Sequence, residues 1–196
     1  MTAATSLITL IALPFLGSVI AAFLPSNARN REAWVAGALA LGALAIVISL
    51  HSAVADGGVV RLQLPWVPLL GLEFSLRMDG FAWMFALLIT GIGFLVVLYA
   101  RYYMSPEDPV PRFFSFLLAF MGAMLGVVLS GNLIQLAFFW ELTSLFSFLL
   151  IGYWHHTGAA RDGARMALII TGTGGLALLG GILVLGHIVG SYELDV

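Results

Sequence analysis

Six long apolar runs, separated by short charged segments, decide what this chain can fold into. Residues 7–24 are apolar apart from Thr and Ser and end at Pro25, and further runs cover 34–50, 81–100, 113–129, 133–151 and 166–189. About 20 residues, at a rise of about 1.5 Å each, cross a hydrocarbon core about 30 Å thick, and every run is close to that length. Barrel strands alternate apolar and polar residues, whereas these runs are apolar on all sides, so helices are the spanning element. The chain is 61% hydrophobic and only 9% charged, against about 25% charge in an ordinary soluble domain. So little charge cannot cover a soluble fold of 196 residues. The expectation is an all-α membrane protein, a single transmembrane domain over residues 1–196 with spans at about 5–24, 34–54, 80–100, 113–130, 132–152 and 164–190. The first run lacks a basic leading region and a small-x-small cleavage site, so it reads as a retained helix rather than a signal peptide.

The longest connection has a different period. Val60, Leu62 and Leu64 alternate with Arg61 and Gln63, and Leu72, Phe74 and Leu76 alternate with Glu73, Ser75 and Arg77. Two period-2 segments around a connection containing Pro, Trp and Gly, residues 65–71, predict a small extracytoplasmic β-hairpin at about 59–77. Its apolar face is expected on the helices or on a neighbouring subunit.

All eight basic residues are Arg. Arg29 and Arg31 follow the first run, Arg101 and Arg112 the third, and Arg161 and Arg165 the fifth; the opposite side has Arg61 and Arg77, with Glu193 and Asp195 at the C-terminal end. The positive-inside bias then puts the Arg-rich loops in the cytoplasm and both ends of the chain outside, in a multi-pass protein of the cell (inner or plasma) membrane. The net charge of −2 carries no basic footprint for nucleic acid, and zero Cys excludes disulfides and thiol chemistry. No nucleophile–base constellation, phosphate loop or metal cluster stands out, so neither an enzyme nor a cofactor is expected.

One residue breaks the apolar pattern. Glu141 lies near the middle of 133–151, among apolar, aromatic and hydroxyl neighbours. An acid at a helix centre costs about 2.5–3.5 kcal/mol to insert, and such residues face protein or water rather than lipid. Ser144 lies one turn on and Thr143 and Ser147 are close, so hydroxyls are expected to support the carboxyl. The functional reading is a proton-transfer group; the bland one is a structural Glu that joins helices through hydrogen bonds. His187, late in the sixth run, is either a helix–helix hydrogen bond or part of a water path. His51 ends the second run, and the adjacent His155 and His156 diverge on a helix and make a poor metal pair. Gly172, Gly174 and Gly175 give G-x-G-G without a preceding strand, which is no nucleotide fingerprint. The Gly122/Gly126 and Gly186/Gly190 pairs suggest close helix packing. Asp79 reads as the N-cap of the third span.

The stretch 131–154, Gly-Asn-Leu-Ile-Gln-Leu-Ala-Phe-Phe-Trp-Glu-Leu-Thr-Ser-Leu-Phe-Ser-Phe-Leu-Leu-Ile-Gly-Tyr-Trp, resembles the fifth span of the antiporter-like subunits. That family includes Mrp-type Na+/H+ antiporters and the membrane arm of respiratory complex I. Trp140-Glu141 followed by small residues and Leu-Ile-Gly is its shared motif, and Trp-Glu-Leu-Thr-Ser closed by Tyr153-Trp154 is most similar to the A-type subunit of the Mrp branch. The run 112–130 and the segment Phe-Ser-Leu-Arg-Met-Asp-Gly at 74–80 agree. The resemblance implies a membrane subunit of an antiporter built from several chains, with Na+ (or K+ or Li+) leaving against entering protons, other antiporter subunits as partners, and Glu141 in the proton path. Two departures stand out. Many complex I members carry an Arg and an Asp where this chain has Gly172 and Gly175, and the family pairs its fifth-span Glu with a seventh-span Lys, while this chain has no Lys. By the family's length the chain looks like an N-terminal portion. Two alternatives stay open: a proton-translocating membrane subunit of a complex I-like NADH:quinone oxidoreductase or membrane-bound hydrogenase, and a structural fragment without transport.

The Arg asymmetry yields a direct test. A reporter active only outside the cytoplasm is expected to be active when fused near Pro68 and silent when fused near Asp108. The reverse pattern would overturn the orientation, and activity at both sites would break the span assignment.

Overall fold

The computed structural model describes residues 2–25, 29–67, 72–105 and 108–195. In chain order these form α1 (Ala3–Ala22), α2 (Arg29–Ser49), a short α3 (His51–Val54) that runs into a 3-10 turn, β1 (Val60–Val67), β2 (Leu72–Met78), α4 (Gly80–Tyr103), α5 (Val110–Leu129), α6 (Leu133–Ile151) and α7 (Gly158–Val189). Among the described residues six helices are long and apolar enough to cross a membrane. The protein is a multi-pass, all-α membrane protein with one antiparallel hairpin. The helices run alternately up and down, so one end of the bundle carries the hairpin and the other carries Arg31, Arg101, Arg112, Arg161 and Arg165.

Some boundaries differ from the hydropathy reading for identifiable reasons. α2 begins at Arg29, about a turn before its apolar run, and the helix breaks after Ser49, so the expected continuation to residue 54 is the separate α3. α7 starts at Gly158, where Thr157 caps it by accepting from the Ala160 N–H. Its 32 residues reach about 48 Å, longer than a hydrocarbon core of about 30 Å. The charged turn holding Arg161, Asp162 and Arg165 is therefore helical, which a reading based on apolar runs does not see.

Helix α5 is the centre. Phe114, Leu118, Met121, Leu125 and Leu129 recur at helical spacing and are all buried, and α1, α2, α4 and α6 pack around them. α2 presents a seam of small side chains, Ala33, Ala36, Ala40 and Ala43, ending at Val47, which lets its backbone approach its neighbours. Gly122 faces the Phe15 ring of α1, and Gly126 takes the Phe139 ring of α6, as expected for close packing. The other glycine pair divides. Gly186 lies under the Tyr192 ring, whereas Gly190 is the left-handed C-cap of α7 at φ 80°, with its N–H donating to the Gly186 carbonyl. Gly190 thus ends the helix and does not pack it, a correction to the paired reading.

The hairpin lies on this bundle. Its register pairs Val60 with Met78, Leu62 with Leu76 and Leu64 with Phe74, with an irregularity at residues 65–67; the rest of the connection, 68–71, falls outside the described residues. Val60, Leu76 and Met78 are buried in the helical core. The buried Gln135 side chain fixes the hairpin like an added strand residue: its Oε1 accepts from the Ser75 N–H at 2.9 Å, and its Nε2 donates to the Ser75 carbonyl at 3.0 Å. The Gly131 N–H donates to the same carbonyl, and Leu194 and Tyr192 pair with residues 131 and 133 in turn. Irregular backbone at this end is therefore bonded to protein, as a low-dielectric setting demands.

Four charges at the hairpin end are paired. Asp195 bridges Arg61 (2.8 Å) and Arg77 (2.9 Å), and Arg77 also reaches Asp79 at 2.6 Å. Asp79 caps α4 as expected, its Oδ1 accepting from the Ala82 N–H at 2.8 Å. That backbone bond, with Arg77 assisting against burial, holds the carboxyl below its ordinary 3.8.

Two outcomes follow for the purified chain in detergent. Gln135→Leu leaves the Ser75 N–H without its side-chain partner and is expected to cost about 1–3 kcal/mol in thermal stability; an unchanged melting temperature contradicts the clamp. Asp79, with its carboxyl held low in the folded protein, contributes stability that is full above 3.8 and is lost as pH falls further. Exchange of the Ala82 amide should therefore accelerate only in acid below that value, and the acceleration should vanish in Asp79→Asn.

Candidate functional site

α6 begins at a strong cap. Asn132 Oδ1 accepts from the Ile134 N–H at 2.9 Å and the Gln135 N–H at 3.3 Å, so the helix starts at a fixed height below the hairpin. Glu141, eight residues past Leu133 in this 19-residue helix, is about 12 Å along an element about 28 Å long. It is therefore close to the middle of the helix.

The Glu141 side chain is exposed on α6 and leans on α7. Its Oε1 lies where a Cβ on Gly175 would be, and such a Cβ would stand 2.8 Å from the Glu141 Cδ. Only a residue without a side chain lets the carboxyl rest against α7 in this way. A Cβ on Gly172 or Gly174 would meet nothing within 4 Å, so of the three glycines in the G-x-G-G run only Gly175 belongs to this contact. Among the described residues no hydrogen bond or ion pair reaches the Glu141 carboxyl.

The supporting residues are arranged differently from the expectation. Thr143 Oγ1 donates to the Trp140 carbonyl at 2.7 Å, Ser144 Oγ to the same carbonyl at 3.3 Å, and Ser147 Oγ to the Ser144 carbonyl at 3.0 Å. All three hydroxyl protons go to the helix's own backbone, the usual resort of Ser and Thr in apolar helices, and none goes to Glu141. Ser144 is buried while Glu141 is exposed. His187 is exposed on α7, 12 residues beyond Gly175, so about 18 Å farther along the axis and towards the hairpin end. The structure does not bring it to Glu141. His51 stands edge-on to the Trp83 ring at 4.9 Å. His155 has its Nδ1 3.4 Å from Arg112 Nη1. Among the described residues no group of three or more His, Cys, Asp or Glu is placed to hold a metal.

Sequence reasoning missed two groups. Glu32, in the first turn of α2, is fully buried, and both its carboxyl oxygens lack a hydrogen-bond partner among the described residues. Tyr153, just past α6, is 5% exposed, and its hydroxyl is likewise unpartnered. The sequence offered little warning: Glu32 sits beside Arg31 at the edge of its run, where an acid ordinarily meets water, and Tyr153 reads as an interface aromatic.

Two family models match the chain: "NADH-Ubiquinone oxidoreductase (complex I), chain 5 N-terminus" over residues 66–114 and "NADH:quinone oxidoreductase/Mrp antiporter, TM" over residues 130–196. Among curated relatives, the probable A/B subunit of a K(+)/H(+) antiporter from Rhizobium meliloti is 66% identical over 185 residues, which is 94% of this chain and 18% of the relative. The A-type subunit of the Na(+)/H(+) antiporter of Alkalihalophilus pseudofirmus is 46% identical over 92% of this chain and 23% of its own length. The chain thus spans about a fifth of these relatives. The fold superposes on a chain of the Mrp complex from Dietzia sp. with a TM-score of 0.82 at 23% identity, covering 100% of this chain and 20% of that one. It also superposes on a chain of the membrane-bound sulfane sulfur reductase, an archaeal respiratory membrane complex, at 0.79 with 20% identity, covering 97% of this chain and 29% of that one.

The Gly175 contact predicts an asymmetry within one helix. Gly→Ala on a helix ordinarily stabilises by up to about 1 kcal/mol, and Gly174→Ala, with open space around it, is expected to follow that rule. Gly175→Ala has to push the Glu141 side chain aside and should forfeit the gain or destabilise the chain. Thermal melting in detergent compares the two, and equal shifts would show that the carboxyl does not depend on Gly175.

Proposed function

Since the chain belongs to the antiporter-like membrane subunits, the family of complex I chain 5 and the A-type Mrp subunit, we propose that it works in a multisubunit monovalent cation/proton antiporter. In this reading Na+ or K+ leaves the cell against entering protons, and Glu141 carries the proton through the membrane. The relatives' names supply the ion class, K+/H+ in one and Na+/H+ in the other. The observation that carries the role of Glu141 is its setting: a mid-helix carboxyl, unpartnered among the described residues, resting on side-chain-free backbone at Gly175. A carboxyl of this kind is costly to keep in a bilayer and is the group a proton relay uses. Thr143 and Ser147, only partly buried, keep oxygen lone pairs free on the same helix and serve as hydrogen-bond acceptors for water beside it, while Ser144 is buried and His187 belongs to the far end of α7.

The Arg-bearing end is the cytoplasmic one in this reading. The two Arg at the opposite end are neutralised by Asp79 and Asp195, which sharpens the charge difference between the two faces. The partners are other subunits of the antiporter, which cover part of the large apolar surface of α4 and α7. A redox complex that drives the same helices is the competing reading. Fold likeness to a respiratory membrane complex supports it, but the relatives at 66% and 46% identity are named as antiporter subunits.

The test is Glu141→Gln in the complete complex carrying this chain. Gln keeps the size and polarity and removes the exchangeable acid proton. Na+- or K+-dependent proton exchange in inverted vesicles is expected to fall by on the order of 10²-fold or to background, with normal assembly. Near-wild-type exchange would end the relay reading, and tolerance of Gln with loss of assembly in Glu141→Leu would mark a structural Glu.

A further inference from the structure

At the Arg-bearing end two buried polar groups have no hydrogen-bond partner among the described residues. Glu32 is 0% exposed, and Tyr153 has its hydroxyl sealed from solvent. A first-turn acid is ordinarily accounted for by the helix dipole and water, but Glu32 has no water-exposed surface and caps no N–H among the described residues. Burying a carboxyl without a partner is among the costliest choices in a fold, and the Tyr153 hydroxyl at the same end of the bundle is also unpartnered among the described residues. Burial first, then Asp108, pushes the Tyr153 hydroxyl up to about 12, with Arg112 acting against them and Glu32 adding the smallest push.

Among the described side chains no cation pairs with Glu32. Arg101 of α4 lies over the Trp34 and Tyr102 rings, Arg112 of α5 lies over Phe116 and beside His155, and Arg31 on α2 is exposed. Asp108 accepts from the Trp154 indole and the Ser105 N–H. The α4 tyrosines Tyr99 and Tyr103 stack on each other at the surface, and α1 has no titratable side chain. Tyr153, its ring edge-on to Phe113 at 5.7 Å, lines a groove of about 290 Å³ together with Tyr99, Tyr103, Phe113 and Leu150.

We propose that Glu32 is a second proton-holding carboxyl, reached from the Arg-bearing end through the Tyr153 hydroxyl and bridging water. A hydronium at the groove gives up its proton and becomes water. The proton is relayed by exchange along the water and the Tyr153 O–H, and the Glu32 carboxylate becomes a neutral carboxyl; the reverse steps return it. Tyr153 relays without ionising, because its hydroxyl holds its proton far above neutral pH. One carboxylate and one hydroxyl suit a proton and a water, and are too few oxygens to replace the hydration shell of Na+ or K+. The purpose of the site rests on the antiport reading, but its proton chemistry does not.

The experiment is pH-difference infrared spectroscopy on the assembled complex carrying this chain, in H2O and D2O. The wild-type spectrum is expected to contain a carboxyl C=O band that responds to pH and shifts in D2O. That band should be lost in Glu32→Gln and moved in Tyr153→Phe. Identical pH-difference spectra for wild type and Glu32→Gln, or a band indifferent to Tyr153→Phe, would overturn the proposal. If Glu32→Gln does not assemble, Glu32→Asp keeps the acid and takes its place: a displaced band supports the site and an unmoved one refutes it. The outcome is independent of Glu141→Gln. A Glu32 band alongside unimpaired exchange in Glu141→Gln leaves this site standing while the relay reading fails, and the converse pair of results does the opposite.

Discussion

At Gly175 the backbone of α7 comes so close to α6 that the Glu141 carboxyl fills the volume of a missing Cβ, and the setting of this mid-helix carboxyl follows from that contact. α7 packs mainly on α6, so the contact is part of what holds this last helix to the bundle. The complex I-type alternative at this position, an Asp, would set two carboxyls against each other and change the chemistry completely. A glycine leaves Glu141 free to meet a partner from outside the described residues, such as the cation that the family resemblance implies.

The rest of the fold keeps α6 at a fixed depth. Asn132 caps the helix, Gln135 bonds both backbone groups of Ser75, and residues 192–194 pair back onto 131–133. Helix, hairpin and C-terminal segment are thereby locked together at one end, with Arg61, Arg77, Asp79 and Asp195 sealing the outer side. Within the spans, hydroxyls such as Thr90, Ser130 and Thr171 bond their own helix carbonyls. Among the described residues the groups without a partner, such as Glu141, Glu32 and Tyr153, stand out for that reason.

The fold was legible wherever one physical term dominates. Apolar length located all six helices, period-2 alternation located β1 and β2, and Met78-Asp79-Gly80 marked the start of α4. Hydropathy could not place the break after Ser49 or the two charged turns at the start of α7, because helix ends are set by caps and local bonds rather than by lipid. The site was legible only in part. Glu141 stands out because charge is rare in its run, but the tertiary contact that chooses Gly175 over Gly172 and Gly174 is not written in spacing. Ser144 shares a helical face with Glu141 by count, yet backbone carbonyls compete for its proton and win. Glu32 was invisible, since burial of an acid at a helix mouth depends on how α2, α4 and α5 close around it.

A carboxyl that carries a proton through the membrane has to face a hydrated path and not lipid, which is what the relay proposed for Glu141 requires. The chain has no Cys, so a Glu141→Cys variant in an otherwise thiol-free complex carries one reporter at the site. A thiol must ionise in water to react with a small, charged methanethiosulfonate reagent. With Glu141 on a hydrated path, the charged reagent modifies the Cys from at least one side of the membrane, at a rate well above that of a Leu176→Cys control on the exposed face of α7. Reaction with membrane-soluble reagents alone, at the rate of that control, would contradict it.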